Sequence, residues 1–373
     1  MNFPLSPPAF IFFPGKRLQK GTGMLKRLKA LACTVALACL GTSPAVAQGD
    51  LVMAVWGGGG ANTWREAFIK QFTPAGGYSV KMIEVPNPAG ALRSPAAANQ
   101  YNLALVTYFE AIALSNAGLI ESFDDKQLPG IADVDPKFLT KDKAGRHVGL
   151  PVYFTYYGIA FNTDLAKAAD FASWQGLADA KWKGKLSLTR PVYLAPYDAV
   201  IMAKAMGGNE KDIEPGFKLL ERIVPNVLAT YTSLAHMNTL LTRGEVAAVP
   251  FYASRVWSLR RHGAANVDIV IPKEGALMLP YVVVIPKGAK NQDNARVWMN
   301  YIAGAEPQLR AALLDGWLPM NSKVKLPDDL QKTLGQTYDK IGQSLYSPDW
   351  RVVVEHNEER VNRAEKLMSG VKQ

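Results

Sequence analysis

Short apolar runs alternate with stretches whose apolar residues recur at helical spacing along most of this 373-residue chain. Residues 51–55 read as a strand, stopped by Trp56 and four consecutive glycines, Gly57 to Gly60. A helix is expected from about Thr63, with Trp64, Ala67, Phe68 and Phe72 on one face and Pro74, Gly76 and Gly77 closing it. Strands at 78–85 and 103–106 follow, the second leading into a helix through Ile112 to Gly118. This βαβαβ order implies a parallel sheet covered by helices. Beyond it come an aromatic extended segment at 151–161, a helix-and-turn block at 174–184 and a strand at 185–189. The spacing then predicts helices at 196–206, 213–223 and 233–242, and strands at 247–250, 267–271 and 282–285, the last bounded by Pro280 and Pro286. A helix at 294–304 and two amphipathic helices, 328–345 and 349–369, complete the pattern. With no internal repeat and no long linker, it fits a two-lobed α/β protein that the chain crosses more than once.

The first 47 residues follow another logic. Lys26, Arg27 and Lys29 precede an apolar run from Ala30 to Leu40, and Ala45-Val46-Ala47 is a small-x-small site before Gln48. That order describes a secretory signal, and the run is shorter than the roughly 20 residues a membrane span needs. Met24 is the expected start, Ala47 the expected cleavage point and the periplasm the expected location. Both cysteines, Cys33 and Cys39, fall in this leader. A cleaved chain of 326 residues therefore has no thiol, which excludes disulfides, thiolate metal sites and cysteine nucleophiles. Lipid attachment at Cys39 is the alternative to cleavage at Ala47.

Charge looks different once the leader is set aside. The whole chain carries a formal +10, but the leader contributes six Lys and Arg and no acid. The remainder holds 36 Lys and Arg against 32 Asp and Glu, and no basic block points to nucleic acid. His147, His236, His262 and His356 stand far apart, so no metal site is expected. There is no Gly-x-Ser-x-Gly elbow and no phosphate-binding Gly-Lys-Ser/Thr, and Asn62 stands where a dinucleotide fold would need its third glycine. No nucleophile or acid–base pair is nominated and no cofactor is expected, which leaves an exported enzyme open but without a candidate reactive group.

Six blocks carry a resemblance: VWGGGGANTW at 55–64, YNLALVTYFEAIALSNAGLI at 101–120, GLPVYFTYYGIAFNTD at 149–164, KWKGKLSLTRP at 181–191, LLTRGEVAAVPFY at 240–252, and IPKEG at 271–275 with VVVIPKGAKN at 282–291. In this order they resemble the bacterial extracellular solute-binding proteins of the spermidine/putrescine-like branch, which serve ABC importers. The resemblance implies a periplasmic binding protein type II-like fold, two Rossmann-like lobes joined by two crossovers with a ligand cleft between. By that analogy the first lobe takes 48–157 and 282–322, the second 158–281, and helices in 323–373 pack back on the second. It also implies a monomer, a binding protein and not an enzyme, that closes like a hinge on a small molecule and delivers it to an inner-membrane ABC permease.

Ligands in open α/β sheets bind beyond the carboxyl ends of the strands. That rule selects Trp56, Gly57, Gly58 and Asn62 in the first turn, where helix N–H groups favour an anion. It also selects Thr107 and Tyr108 after the third strand, and Phe154 and Tyr156 in the crossover, although such aromatics fit a core equally well. From the second lobe come Arg190, Tyr252, Ser254, Arg255 and Tyr281; the two arginines suit a carboxylate, or simply solvent. Polyamine binders of the family place a carboxylate shortly after the Pro-Lys-Glu-Gly turn, and here that position is Tyr281. Glu110 and Asp198 are the nearest remaining acids. The expected ligand is therefore a small organic acid, an amino acid derivative or a similar carboxylate. The alternatives are a polyamine, a ferric ion held by tyrosines (although Phe251 interrupts the pair), or a secreted enzyme on the same fold.

Overall fold

The computed structural model describes residues 49–371 apart from Thr232, so the leader and its expected cleavage site lie outside the described residues. The strands, in chain order, are β1 (Leu51–Trp56), β2 (Val80–Val85), β3 (Leu103–Thr107), β4 (Leu150–Asn162), β5 (Leu186–Leu188), β6 (Val227–Thr230), β7 (Ala248–Tyr252), β8 (Val267–Val270), β9 (Ala276–Val284), β10 (Leu318–Pro319) and β11 (Leu345–Tyr346). They form one mixed sheet whose main path runs β2-β1-β3-β9-β4-β7-β5-β6.

Two parallel blocks lie at its ends. β1 pairs in parallel with β2 and β3, and β5 pairs in parallel with β6 and β7. Between them run β4 and β9, antiparallel to each other from Leu150↔Val283 to Tyr157↔Leu277. The far end of β9, Tyr281 to Val284, pairs with β3, while β4 from Tyr157 to Phe161 pairs with β7. These two long strands are the crossovers joining the two lobes.

Side-chain alternation explains why both faces of each lobe are covered. Met53, Val55, Leu103 and Leu105 enter one apolar cluster with Trp298 and Met299, whereas Ala54, Ala104 and Val106 enter another with Ala111 and Leu114. In the second lobe, Ile159, Phe161, Leu186 and Leu188 meet Val200 and Phe217 on one face. Ala160, Val249 and Phe251 meet Leu241 and Val256 on the other. A strand buried on both faces reads as a continuous apolar run, the signal seen in the sequence.

Several elements differ from expectation. The first helix begins at Gly59, runs to Trp64, and continues as a wider π turn over Arg65–Ile69, ending before Phe72. β9 starts at Ala276, not 282; Pro280 lies one residue short of where β9 meets β3, so it does not interrupt that ladder. β6 and the helix Ala305–Asp315 were not foreseen. The expected helix at 328–345 is two short ones, Asp328–Thr333 and Tyr338–Gln343, because Gly335 at φ +73° turns the chain out of helical geometry. Leu345 and Tyr346 then join β9 as β11. The last segment breaks at His356 into Trp350–Glu355 and Asn357–Met368. Among the described residues no helix is long and apolar enough to cross a membrane.

Candidate ligand-binding site

The carboxyl ends of β1, β3, β5, β6 and β7 face a cavity of about 480 Å³ floored by residues of β4 and β9. Its size falls in the range of small-molecule sites, roughly 300–1,000 Å³. Of the residues selected from sequence, Trp56, Gly57, Gly58, Thr107, Arg190, Tyr252, Ser254, Arg255 and Tyr281 line it.

Backbone geometry makes the first turn. Gly58 adopts φ 94°, ψ −158°, a conformation open only to glycine, which redirects the chain from β1 into the helix. Its N–H donates to Glu84 Oε2 at 3.2 Å, and Arg65 also pairs with Glu84. One amide of the expected anion turn is thus already taken by the protein's own carboxylate. The N–H groups of Gly59 and Gly60, at the start of the helix, have no intrahelical acceptor. Arg255 lies over them: a β-carbon on Gly59 would stand 3.3 Å from one guanidinium nitrogen, and one on Gly60 3.1 Å from the other.

Thr107 ends β3 and opens the helix Tyr108–Asn116. Its N–H and hydroxyl both donate to Glu110 Oε2, at 2.9 and 2.7 Å, a reciprocal arrangement that ties the acid to the helix start. Burial pushes the Glu110 carboxyl up, against the pull of the Thr107 donors and Arg93. Asp198 is fully buried, accepts from Tyr157 Oη at 3.2 Å, and is pushed well up by desolvation. Neither of these acids lines the cavity, and among the described residues no other Asp or Glu does.

Aromatic rings supply most of the walls. Tyr281 stacks on Tyr153 at 4.8 Å, and Tyr153 stacks on Trp317 at 3.9 Å, both pairs within 12° of parallel. Trp56 meets Tyr281 edge-on at 5.8 Å. Across the cavity, the Arg190 guanidinium lies 5.7 Å from the Tyr193 ring centre. Burial pushes the Tyr193 phenol up to about 12 and those of Tyr153, Tyr197 and Tyr252 well above their usual value. These groups are neutral hydrogen-bonding phenols over the ordinary pH range. Among the described residues neither Arg190 nor Arg255 has a carboxylate within 4 Å. Asp315, buried behind Arg255, is pushed up by desolvation, with the Arg255 charge opposing it.

Four of the selected residues lie elsewhere. Asn62 is exposed, its Oδ1 accepting from Arg65 Nη1 at 2.7 Å. Tyr108 packs between two apolar clusters at the start of its helix. Phe154 packs on Phe138, 5.2 Å between centres, and Tyr156 meets Trp257 edge-on at 5.6 Å. The last two miss by parity. Successive residues of a strand point to opposite faces, and Tyr153, one position from Phe154 and three from Tyr156, is the one that reaches the cavity. Sequence reasoning also passed over Tyr193, Tyr197, Tyr231 and Trp317, which line it too. Tyr193 and Tyr197, four apart just after Arg190, were the detectable pair.

Comparison with known proteins fits this architecture. Residues 67–335 match the family model for bacterial extracellular solute-binding proteins. The chain is 25% identical over 285 residues to spermidine/putrescine-binding periplasmic protein 1 of Haemophilus influenzae, covering 72% of this chain and 77% of that protein. It is 26% identical over 301 residues to a Salmonella typhimurium protein named for periplasmic binding of 2-aminoethylphosphonate, covering 78% and 83%. The crystal structure of an ABC transporter substrate-binding protein from Bradyrhizobium japonicum superposes with a TM-score of 0.73 at 18% identity, covering 86% of this chain and 99% of that one. The lobes, the crossovers and these likenesses together assign the chain to the bacterial extracellular solute-binding proteins, the solute-binding components of ABC transporters.

Proposed function

We propose that this protein captures a small anionic solute, a carboxylate or phosphonate, between its lobes and passes it unaltered to an ABC permease. One observation carries the reading: among the described residues Arg190 and Arg255 line the cavity without an ion-pair partner, and no carboxylate lines it. A guanidinium fork matches a carboxylate or phosphonate with two parallel hydrogen bonds. A polyamine entering the same cavity would lose its hydration and meet arginines, at a cost of several kcal/mol per ammonium. The similarity to a relative named for 2-aminoethylphosphonate supports the anionic reading, and the relative named for spermidine and putrescine is the reason to test the other. A ferric ion would find phenols but, among the described residues, no carboxylate or histidine in the cavity to complete its ligand set.

The working unit is read as a monomer, exported by a leader cleaved near Ala47 and acting in the periplasm, with no enzymatic step and no nucleic-acid partner. Its lobes are taken as 48–157 with 282–322, and 158–281; of the segment 323–373, expected on the second, Trp350, Val353, Ala364 and Met368 join that lobe's cluster, whereas Leu326, Leu330, Leu334 and Ile341 join the cluster of the first. The strand order supports that division, with the parallel β1-β2-β3 block on one side of β4 and β9 and the parallel β5-β6-β7 block on the other, although the apolar clusters cross it: Ala253 and Trp257 share one with Leu51 and Met53, and Phe109 and Ile112 share one with Leu186 and Leu188. Calorimetric titration of the cleaved chain with 2-aminoethylphosphonate, small carboxylates and spermidine tests the reading. Binding of an acid with none of spermidine is expected; the reverse overturns it.

A further inference from the structure

Two of the cavity tyrosines bridge its walls through the protein's own groups. Arg190 is followed by Pro191, which suits the first position of a helical turn, and the N–H groups of Tyr193 and Leu194 donate back to the Arg190 carbonyl at 2.9 and 2.8 Å. Three residues apart on that turn, Arg190 and Tyr193 share a face, and the guanidinium lies against the ring, 5.7 Å from its centre. The other end of the same side chain reaches the opposite lobe. Its hydroxyl hydrogen-bonds the indole of Trp56, the last residue of β1. An indole N–H can only donate, so the phenol oxygen is the acceptor. Four residues on, the Tyr197 side chain makes a second such bridge, to Thr107 at the end of β3.

The two bridges differ in depth. Tyr197 is 1% exposed, its ring packed against Phe109 of the first lobe, Tyr157 of β4 and Trp350, with centres 5.9, 5.6 and 6.4 Å away. Parting the lobes there would expose apolar surface on every side, at a cost that grows with the area uncovered. Tyr193 and Trp56 are only half-buried, so water already reaches them and separating them uncovers little. Tyr197 therefore marks the pivot, and Tyr193 the contact that an opening motion breaks.

We infer that Tyr193 is the positioning residue of closure: steadied by Arg190 against its ring, its hydroxyl latches the second lobe to Trp56 of the first. The inference rests on the reading of two lobes that close on a solute, and not on which solute that is. A latch made of the protein's own groups favours the closed form whether or not the cavity is filled. One net hydrogen bond shifts such an equilibrium by roughly two- to tenfold. It must also break before a solute leaves, so its loss shortens residence more than it slows association.

Distance measurement between two spin labels on the cleaved chain, with no solute added, tests the latch. That chain has no other thiol, so labels at Ile83→Cys and His236→Cys report the gap between lobes; both positions are exposed and lie close in sequence to cavity residues Pro86 and Ala235. The parent is expected to show a short-distance population beside a long one. Tyr193→Phe, which removes only the hydroxyl, should lower the ratio of short to long by about two- to tenfold. Trp56→Phe, which removes the donor, should do the same, and the double variant should go no further than either, because all three lose one contact. A parent that is wholly open, a distribution unmoved by Tyr193→Phe, or losses that simply add in the double variant overturns the inference. Each of these is read in the empty protein, so none bears on whether an acid binds, which calorimetry decides separately.

Discussion

The guanidinium of Arg255 rests against the bare backbone of Gly60, 3.1 Å from where a β-carbon would stand. The contact joins the first helix of one lobe to the helix Ala253–Arg261, and it exists because position 60 has no side chain. Gly60→Ala should push the guanidinium away from the Gly59 and Gly60 amides and weaken acid binding several-fold. Alanine also favours a helix by up to about 1 kcal/mol over glycine, so the fold should be no less stable. Titration alongside thermal melting separates the two effects: unchanged affinity would show that Arg255 does not need this seat.

Arg255→Ala should lower affinity for an acid by about ten- to a hundredfold, the scale of a lost charge-assisted hydrogen bond. Lysine should restore only part of this, since it keeps the charge and loses the planar fork. The same pair of substitutions at Arg190, which is exposed, should cost less. Dissociation constants for the four variants provide the check.

At Gly58, φ 94° with ψ −158° is a region that side chains avoid. Gly58→Ala should destabilise the fold by about 1–3 kcal/mol. The midpoint of urea unfolding should fall accordingly, with its slope unchanged.

Asp50 ties the start of β1 to the start of β2. Its carboxylate pairs with Lys81 and accepts from the Ser79 N–H at 2.9 Å and the Ser79 hydroxyl at 2.8 Å, contacts that lower its pKa from the usual 3.8 to about 2. A group whose pKa falls on folding stabilises the native state above its unfolded value and loses that contribution as pH drops through the folded one. Asp50→Asn should therefore be less stable than the parent at pH 6, with the difference fading between about pH 4 and pH 2. A difference that stays constant across that window would place the effect outside ionisation.

How much of this was legible follows from which residues carried the signal. Strands buried on both faces, such as 103–106 and 247–250, announce themselves as unbroken apolar runs, and the turns after them gave Trp56, Thr107, Arg190, Tyr252 and Arg255 as cavity residues. β6 stayed hidden because its residues are mostly half-exposed at the sheet edge, and Tyr231 was lost with it. Phe154 and Tyr156 were chosen over Tyr153 because an all-buried strand lacks the apolar–polar alternation that reveals which face is which. Trp317 reaches the cavity from the far end of the chain, through stacking on Tyr153 that no local pattern encodes. The C-terminal helices were misjudged in length because apolar spacing persists across Gly335 and His356 while the backbone does not.

Tyr153 and Tyr281, which stack at the cavity floor, are also direct partners across the β4–β9 ladder. The two connections between lobes are therefore one hydrogen-bonded ribbon, not a pair of independent tethers. A ribbon flexes more easily across its flat face than within its plane, so in the proposed closure the rims of the cleft would follow a single arc. The rings that would touch the solute are mounted on that leaf spring, which puts the cavity floor and the bending element in the same two strands.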